Sequence, residues 1–311
     1  MEESQLFAEA SMKNRFIPYA DEISVGSLRK GFKIVLRKPY DAALQEYLQT
    51  PASYSRLIEK EGVSLKMEAR TEIRLWNLGD RELFFKHYLY PGISRMKTLL
   101  SRMPKAQREY LALGFMEFLG IPCVEAVGWG AEWTRMGGVR RCFILTVKEK
   151  NTLDFRAWLK EMETASGFRN RAMVILQKLA GFFRSMHARG FFLLRPNTRN
   201  VLIHPPDAPD PGVLFLDQPY ARFLSGPGAR WGQLQDLSTL LGGALRHLDE
   251  GIIDDFLDVY LPDPLRGSPE ALRHRLMLAL KARESENRVE KLTLRFRSLL
   301  PVFLDKSRKK R

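Results

Sequence analysis

Residues 190–219 read GFFLLRPNTRNVLIHPPDAPDPGVLFLDQP, and the order of features in this stretch decides the fold. A glycine at 190 closes a preceding helical pattern. An irregular, proline-containing segment follows, and then two short β-rich runs, NVLI from Asn200 and VLFLD ending at Asp217. The connector HPPDAPDPG is dense in Pro and Asp, residues that preset turn backbone or bond to it through a side-chain oxygen. Two such runs across a turn predict a pair of short strands.

Working outward, both flanks are helical. DFRAWLKEME predicts one helix, and NRAMVILQKLAGFFRSMHARG predicts a longer one, with Ile175, Leu176, Leu179, Phe182, Phe183 and Met186 forming a broad apolar stripe. Everything after Gly226 reads as helix, beginning with WGQLQDLSTLLGGALRHL. The first half of the chain is different. From Ser64 to Tyr90, SLKMEARTEIRLWNLGDRELFFKHYLY alternates apolar and polar residues about a Gly79-Asp80 turn, the pattern of an antiparallel hairpin with Lys86 on its return strand. After Pro104, AQREYLALGFMEFLG has helical spacing, carries Glu109 near its start and stops at Gly120. PCVEAVGWG and RRCFILTV then predict two more strands. Residues 1–60 are weakly patterned, with helix expected in DAALQEYLQT and SYSRLIEKEG.

The composition is 45% hydrophobic and 28% charged over 311 residues, which excludes a disordered, collagenous or membrane-spanning chain. No run reaches the roughly 18 uncharged apolar residues of a spanning helix, and the N-terminus lacks the apolar core of a secretory signal. Cys123 and Cys142 are the only cysteines, too few for a disulfide framework. A cytoplasmic location is expected.

The net charge of +14 is concentrated in two segments. Lys86 to Arg108 holds six cations and no acid; Arg273 to Arg311 holds thirteen cations and four acids; the remainder sums to −1. The second segment ends in KSRKKR, which reads either as a solvated helical face with a frayed end or as a basic region suited to an anionic membrane surface. Anionic partners are therefore expected. Nucleic acid is disfavoured, because no RNA-binding or helix-turn-helix signature accompanies the charge.

A β-rich half with a strand Lys and a helix Glu, followed by a helical half with a strand pair ending in Asp, resembles the protein-kinase-like layout. The resemblance implies an α+β, bilobal protein-kinase-like fold, with a small β-rich N-lobe over residues 64–148 and a helical C-lobe over 149–311. Residues 1–63 are expected as an N-terminal extension packed on the small lobe. The segments FFKHY, SRMKTLLSRMPKAQREYLAL, LGIPCVEAVGWG and CFILT narrow the likeness to the bacterial lipopolysaccharide core kinase family, which phosphorylates heptose or Kdo sugars. It spans about residues 64–250.

By that resemblance, Lys86, Asn200 and Asp217 hold ATP, Glu109 orients Lys86, and Asn200 and Asp217 bind Mg2+. Taken singly, Lys86 and Glu109 read as solvated residues. His187 corresponds to the histidine preceding the catalytic loop, and by itself reads as a histidine packed at a helix end. Asp236 resembles the acid that anchors the loop backbone; an acid at a helix N-terminus is the equal alternative. The implied acceptor is an anionic glycolipid or core sugar.

The pattern breaks at the catalytic base. Leu193, Leu194 and Arg195 stand where the family has His-Arg-Asp. A guanidinium stays protonated at neutral pH and accepts no proton. A glycine-rich phosphate loop is also missing, and Asp217-Gln218-Pro219 replaces the Asp-Phe-Gly hinge. Two readings stay open: an ATP-dependent core-sugar kinase with an altered catalytic loop, or a pseudokinase that binds nucleotide and serves as scaffold or regulator in envelope lipopolysaccharide synthesis.

Overall fold

The alternating segments of the first half form one antiparallel sheet in the computed structural model, which describes residues 22–27, 31–38, 40, 42–44, 62–68, 70–100, 103–261 and 269–284. Its strands are β1 (Glu22–Ser27), β2 (Phe32–Arg37), β3 (Val63–Glu68), β4 (Thr71–Leu78), β5 (Arg81–Leu89), β6 (Ala126–Trp133) and β7 (Val139–Val147). They run in the order β1-β2-β6-β7-β5-β4-β3, every neighbour antiparallel.

The hairpin about Gly79-Asp80 is β4–β5, with Leu78 opposite Arg81. Gly79 has φ +63°, a conformation that glycine adopts without the Cβ penalty of other residues. The stretch 64–90, expected as a single hairpin, is three strands. Two residues connect Glu68 to its partner Thr71, and that Ala69-Arg70 connection carries none of the Gly, Pro or Asn that mark a turn in sequence. A second departure lies upstream: β1 and β2 extend the sheet past β6, with Val35 opposite Trp129. The run FKIVLR has the β-branched content of a strand, but it lies in a region otherwise weakly patterned. Of the helix expected at 41–50, residues 42–44 are described and helical. The helix expected within 53–62 and the basic region beyond Glu284 fall outside the described residues, apart from Gly62.

One face of the sheet buries Ile34, Leu36, Leu83, Phe85, Phe143 and Leu145 in a common cluster with Tyr40 and Leu44. Each such aliphatic or aromatic side chain contributes about 1.5–3 kcal/mol by leaving water. Two helices follow β5: α1 (Ile93–Leu100) and α2 (Lys105–Phe118). α2 packs on β6 and β7, burying Ala106, Glu109, Tyr110, Leu113 and Met116, a spacing of three and four residues that keeps them on one helical stripe. Together with Phe215–Tyr220, residues up to Lys150 make one compact unit.

The second unit comprises Asn151–Leu214 and the residues from Ala221 onward. Its elements are β8 (Leu153–Asp154), α3 (Phe155–Met162), α4 (Phe168–Ala188), β9 (Phe191–Phe192), a 3₁₀ turn (Thr198–Asn200), β10 (Val201–His204), β11 (Gly212–Phe215), β12 (Arg222–Phe223), α5 (Gly226–Ala244), α6 (Gly251–Tyr260) and α7 (Pro269–Glu284). β11, β10 and β8 form a small sheet, and β9 pairs with β12. The expected stripe of α4 is buried at Ile175, Leu176, Leu179, Phe183 and Met186, while Phe182 is only half-buried. α4 packs against α6 and α5 against α7.

Neither cysteine is in a disulfide. Burial pushes the Cys142 thiol up to about 11 and that of Cys123 to about 12, so both stay protonated near neutrality. Among the described residues no helix is long and apolar enough to cross a membrane.

Candidate functional site

Strand alternation sends Leu83, Phe85 and His87 of β5 to one face and Lys86 and Tyr88 to the other. On that second face stands Glu109, carried on the buried stripe of α2. The Lys86 Nζ lies 3.4 Å from Glu109 Oε1, and Tyr88 donates its hydroxyl to Glu109 Oε2 at 2.6 Å. Asp217 completes the group with an ion pair from its Oδ1 to the same ammonium. Lys86 and Glu109, which singly read as solvated residues, are therefore shielded: their side chains are 14% and 3% exposed, against 37% for Asp217.

Burial alone would drive both Lys86 and Glu109 towards neutrality. For Lys86, Glu109 and Asp217 outweigh burial and raise its pKa above the ordinary lysine range, so it stays an ammonium. Glu109 is raised by burial, with Lys86 pulling the other way and Asp217 adding to the rise. The Tyr88 phenol is held well above its usual range by burial and the neighbouring carboxylates, and donates rather than ionises.

Backbone pairing ties Asp217 into this unit. Phe215 bridges in parallel to Cys123; the Phe215 N–H donates to Pro122 O at 3.0 Å and Val124 N–H to Phe215 O at 2.9 Å. Asp217 has φ +53°, a left-handed conformation uncommon for a residue with a Cβ. The adjoining Gln218 is buried and donates to Leu216 O at 2.9 Å. Lys105 caps the region, its Nζ 4.5 Å from the Tyr88 ring centroid and 5.4 Å from that of Tyr220, both within cation–π range. Tyr88, Lys105 and Tyr220 were not anticipated. Periodicity could have found two of them: Tyr88 is two residues beyond Lys86 on a strand, and Lys105 is four before Glu109 on a helix.

In the second unit, Asp236 is fully buried on α5 and accepts from the backbone N–H of Leu193 at 2.8 Å and of Leu194 at 2.5 Å. It sits mid-helix, eleventh of the 19 residues of α5, which rules out the reading as an acid at a helix N-terminus. Its Oδ2 is 3.0 Å from His187 Nε2, whose other nitrogen, Nδ1, meets the Tyr260 hydroxyl at 2.6 Å. His187 stacks on Phe192 at 4.6 Å between centroids, a packed histidine at the end of α4. Burial raises the Asp236 pKa, opposed first by His187 and then by the two leucine N–H groups. The anchored segment is strained: Leu194 has φ +65°, of the kind that costs about 1–3 kcal/mol and persists where its surroundings over-determine it.

Arg195 follows directly and is exposed. Its carbonyl accepts from Asn197 N–H at 2.8 Å, and Asn197 O accepts from Asn200 N–H at 2.8 Å, which winds the 3₁₀ turn ending at Asn200. Two acids that are candidates to replace the missing base, Asp154 and Asp207, are otherwise placed. Asp154 caps α3, accepting from Ala157 N–H at 3.0 Å, and Asp207 is exposed in the β10–β11 connection.

The donor types suit magnesium. Among the described residues no cluster of three His, Cys, Asp or Glu side chains could hold a metal by itself. Magnesium does not need one, since it takes oxygen ligands from one or two carboxylates and completes its shell with water and substrate phosphates. Asp217, the exposed carboxylate of the Lys86 group, fits that requirement better than the enclosed Glu109. No glycine loop cradles phosphate between β3 and β4, where two residues make the whole connection.

Residues 74–255 match the family model described as lipopolysaccharide kinase (Kdo/WaaP) family. A solved structure described as WaaP in complex with acyl carrier protein superposes with a TM-score of 0.58 at 18% identity, covering 84% of this chain and 99% of that one. The PknI kinase domain of Mycobacterium tuberculosis aligns with a TM-score of 0.39 at 14% identity, over 66% of this chain and 90% of its own. No curated protein sequence matches significantly. The likeness to WaaP establishes a kinase-like α+β fold.

Proposed function

The chain belongs to the lipopolysaccharide kinase (Kdo/WaaP) family, and on that premise we propose that it transfers the γ-phosphoryl group of ATP to a hydroxyl of heptose or Kdo in the lipopolysaccharide core. The observation that carries this reading is the ammonium of Lys86 held charged between Glu109 and Asp217. An ammonium kept charged beside the half-open Asp217 is suited to phosphate oxygens, and Glu109 with Tyr88 fixes its direction. Asp217 and Asn200 are the proposed magnesium ligands. Bound there, the metal would neutralise charge on the phosphates.

In the reaction the sugar oxygen forms a bond to the γ-phosphorus while the bond from that phosphorus to the bridging oxygen breaks and ADP leaves. The hydroxyl proton cannot go to Arg195, which has no acceptor site. It passes to solvent. The loose transition state of phosphoryl transfer makes this tolerable, since positioning and charge stabilisation carry most of the catalysis. A missing general base still costs roughly 10² to 10⁴ in rate, so slow turnover is expected. The guanidinium of Arg195 instead offers charge to the phosphoryl group in flight.

The exposed guanidinium at the base position also favours a second reading, a pseudokinase that binds nucleotide as scaffold or regulator in envelope synthesis. Incubating the full chain with labelled ATP, magnesium and deep-core lipopolysaccharide decides between them. Label in the glycolipid that disappears in Asp217→Asn supports the kinase; calorimetric ATP binding without transfer supports the pseudokinase; absence of ATP binding overturns both. We place the protein in the cytoplasm, with its basic C-terminal region against anionic lipid. Acyl carrier protein, the partner in the WaaP structure, is a candidate partner here, testable by co-purification.

A further inference from the structure

The second unit contains a cavity of about 440 Å³ lined by Arg156 of α3, Arg199 of the 3₁₀ turn, Arg246 just beyond α5, and Arg283 of α7. Ser238 and Thr239 of α5 complete its polar wall, and among the described residues no carboxylate lines it. Its shape depends on a glycine. A Cβ on Gly243 would stand 2.7 Å from the Thr198 side chain, so only the bare backbone there lets α5 approach the 3₁₀ turn this closely.

Arg283 is set in place before any ligand arrives. Its Nε donates to Ser238 Oγ at 3.2 Å, and a terminal nitrogen donates to Thr239 Oγ1. Both hydroxyls in turn donate to Gln235 O, so their lone pairs face the guanidinium. The other three arginines are exposed, and among the described residues none of them is in an ion pair. His247, also on the wall, has its Nδ1 3.2 Å from Glu163 Oε2. Four like charges around one cavity repel each other, and an anion relieves that repulsion. Planar guanidinium forks are matched to carboxylate and phosphate oxygens. The volume lies in the range of small-ligand pockets, roughly 300–1,000 Å³, large enough for a sugar that bears an acidic group.

The cavity is built on the turn that ends at Asn200. Arg199 and Asn200 are joined by one peptide bond, so their Cα atoms lie about 3.8 Å apart. We propose that this pocket binds the acidic group, carboxylate or phosphate, of the acceptor sugar. The proposal rests on the kinase reading for the identity of the acceptor, while anion binding itself stands apart from it.

The test uses the full chain at constant ionic strength and the double variant Arg156→Ala/Arg246→Ala, which alters two exposed residues outside the nucleotide site. Calorimetry with inorganic phosphate and with the methyl glycoside of Kdo should show binding to the wild type, none with neutral methyl heptoside, and about tenfold weaker anion binding in the variant at unchanged ATP affinity. With an acidic glycolipid acceptor, KM should rise about tenfold in the variant at constant kcat. Unchanged anion affinity in the variant, or equal binding of the neutral glycoside, would overturn the pocket. Weakened phosphate binding with an unchanged acceptor KM would assign the pocket to a free ion and overturn the acceptor role. If the wild type transfers no phosphate, the kinase reading fails, and the calorimetry still decides whether the pocket binds anions.

Discussion

Glu109 and Asp236 are both carboxyls with almost no exposed surface, one in each unit, and they are satisfied in opposite ways. Glu109 faces the ammonium of Lys86, which is itself shared with the half-open Asp217. Asp236 faces two backbone N–H groups and a histidine enclosed by Tyr260 and Phe192. A side-chain cation can exchange partners when a phosphate arrives, whereas amide donors of a buried segment cannot move without unfolding it. The first arrangement is suited to binding and the second to holding a loop in shape.

The largest expected effect attacks the second arrangement. Asp236→Ala strips two buried N–H groups and His187 of their acceptor and should lower unfolding free energy by about 3–5 kcal/mol, read by urea denaturation. A loss under 1 kcal/mol would put the anchor elsewhere. Lys86→Met should do the reverse, folding nearly as well because Glu109, already raised by burial, can take a proton and stay bonded to Tyr88. Phosphate transfer in that variant should fall about 10²–10³-fold. A Lys86→Met protein that unfolds, beside a stable Asp236→Ala, would invert the comparison.

His87 provides a pH test on the opposite face of β5. Burial first, then Arg141 and Arg74, depress its pKa to about 4. The unfolded chain binds a proton there near pH 6.5 and the folded chain does not, so its contribution is present above that pH and is lost as pH falls towards 4. The loss is at most about 3 kcal/mol, and His87→Leu should flatten that limb of the stability curve. The smallest effect concerns chemistry. Arg195→Asp restores an acceptor at the base position and should raise transfer about tenfold to a hundredfold; a fall on this change would mean that the charge the guanidinium offers the phosphoryl group outweighs the missing base.

Much of the layout was legible because it depends on local patterns. Period-two alternation marked β4 and β5 about Gly79, and the stripe from Ile175 to Met186 marked α4. What escaped lacked a local signature. The β3–β4 connection uses Ala69 and Arg70, neither a turn former, and β1–β2 gains its place from edge pairing with β6. Asp236 looked the same as a helix-end acid until the start of α5 at Gly226 put it mid-helix.

The amino-acid order by itself determined the kinase-like succession of elements, because the spacing of apolar residues and turn formers is written locally, and the resemblance that order carries pointed to Lys86, Glu109 and Asp217. Only the tertiary structure decided that these three share one charge cluster. It also decided that Tyr88 and Lys105 join them, and that four arginines from distant positions ring a single cavity. Burial and the approach of groups far apart in the chain set those relations, and neither has a period that a sequence can display.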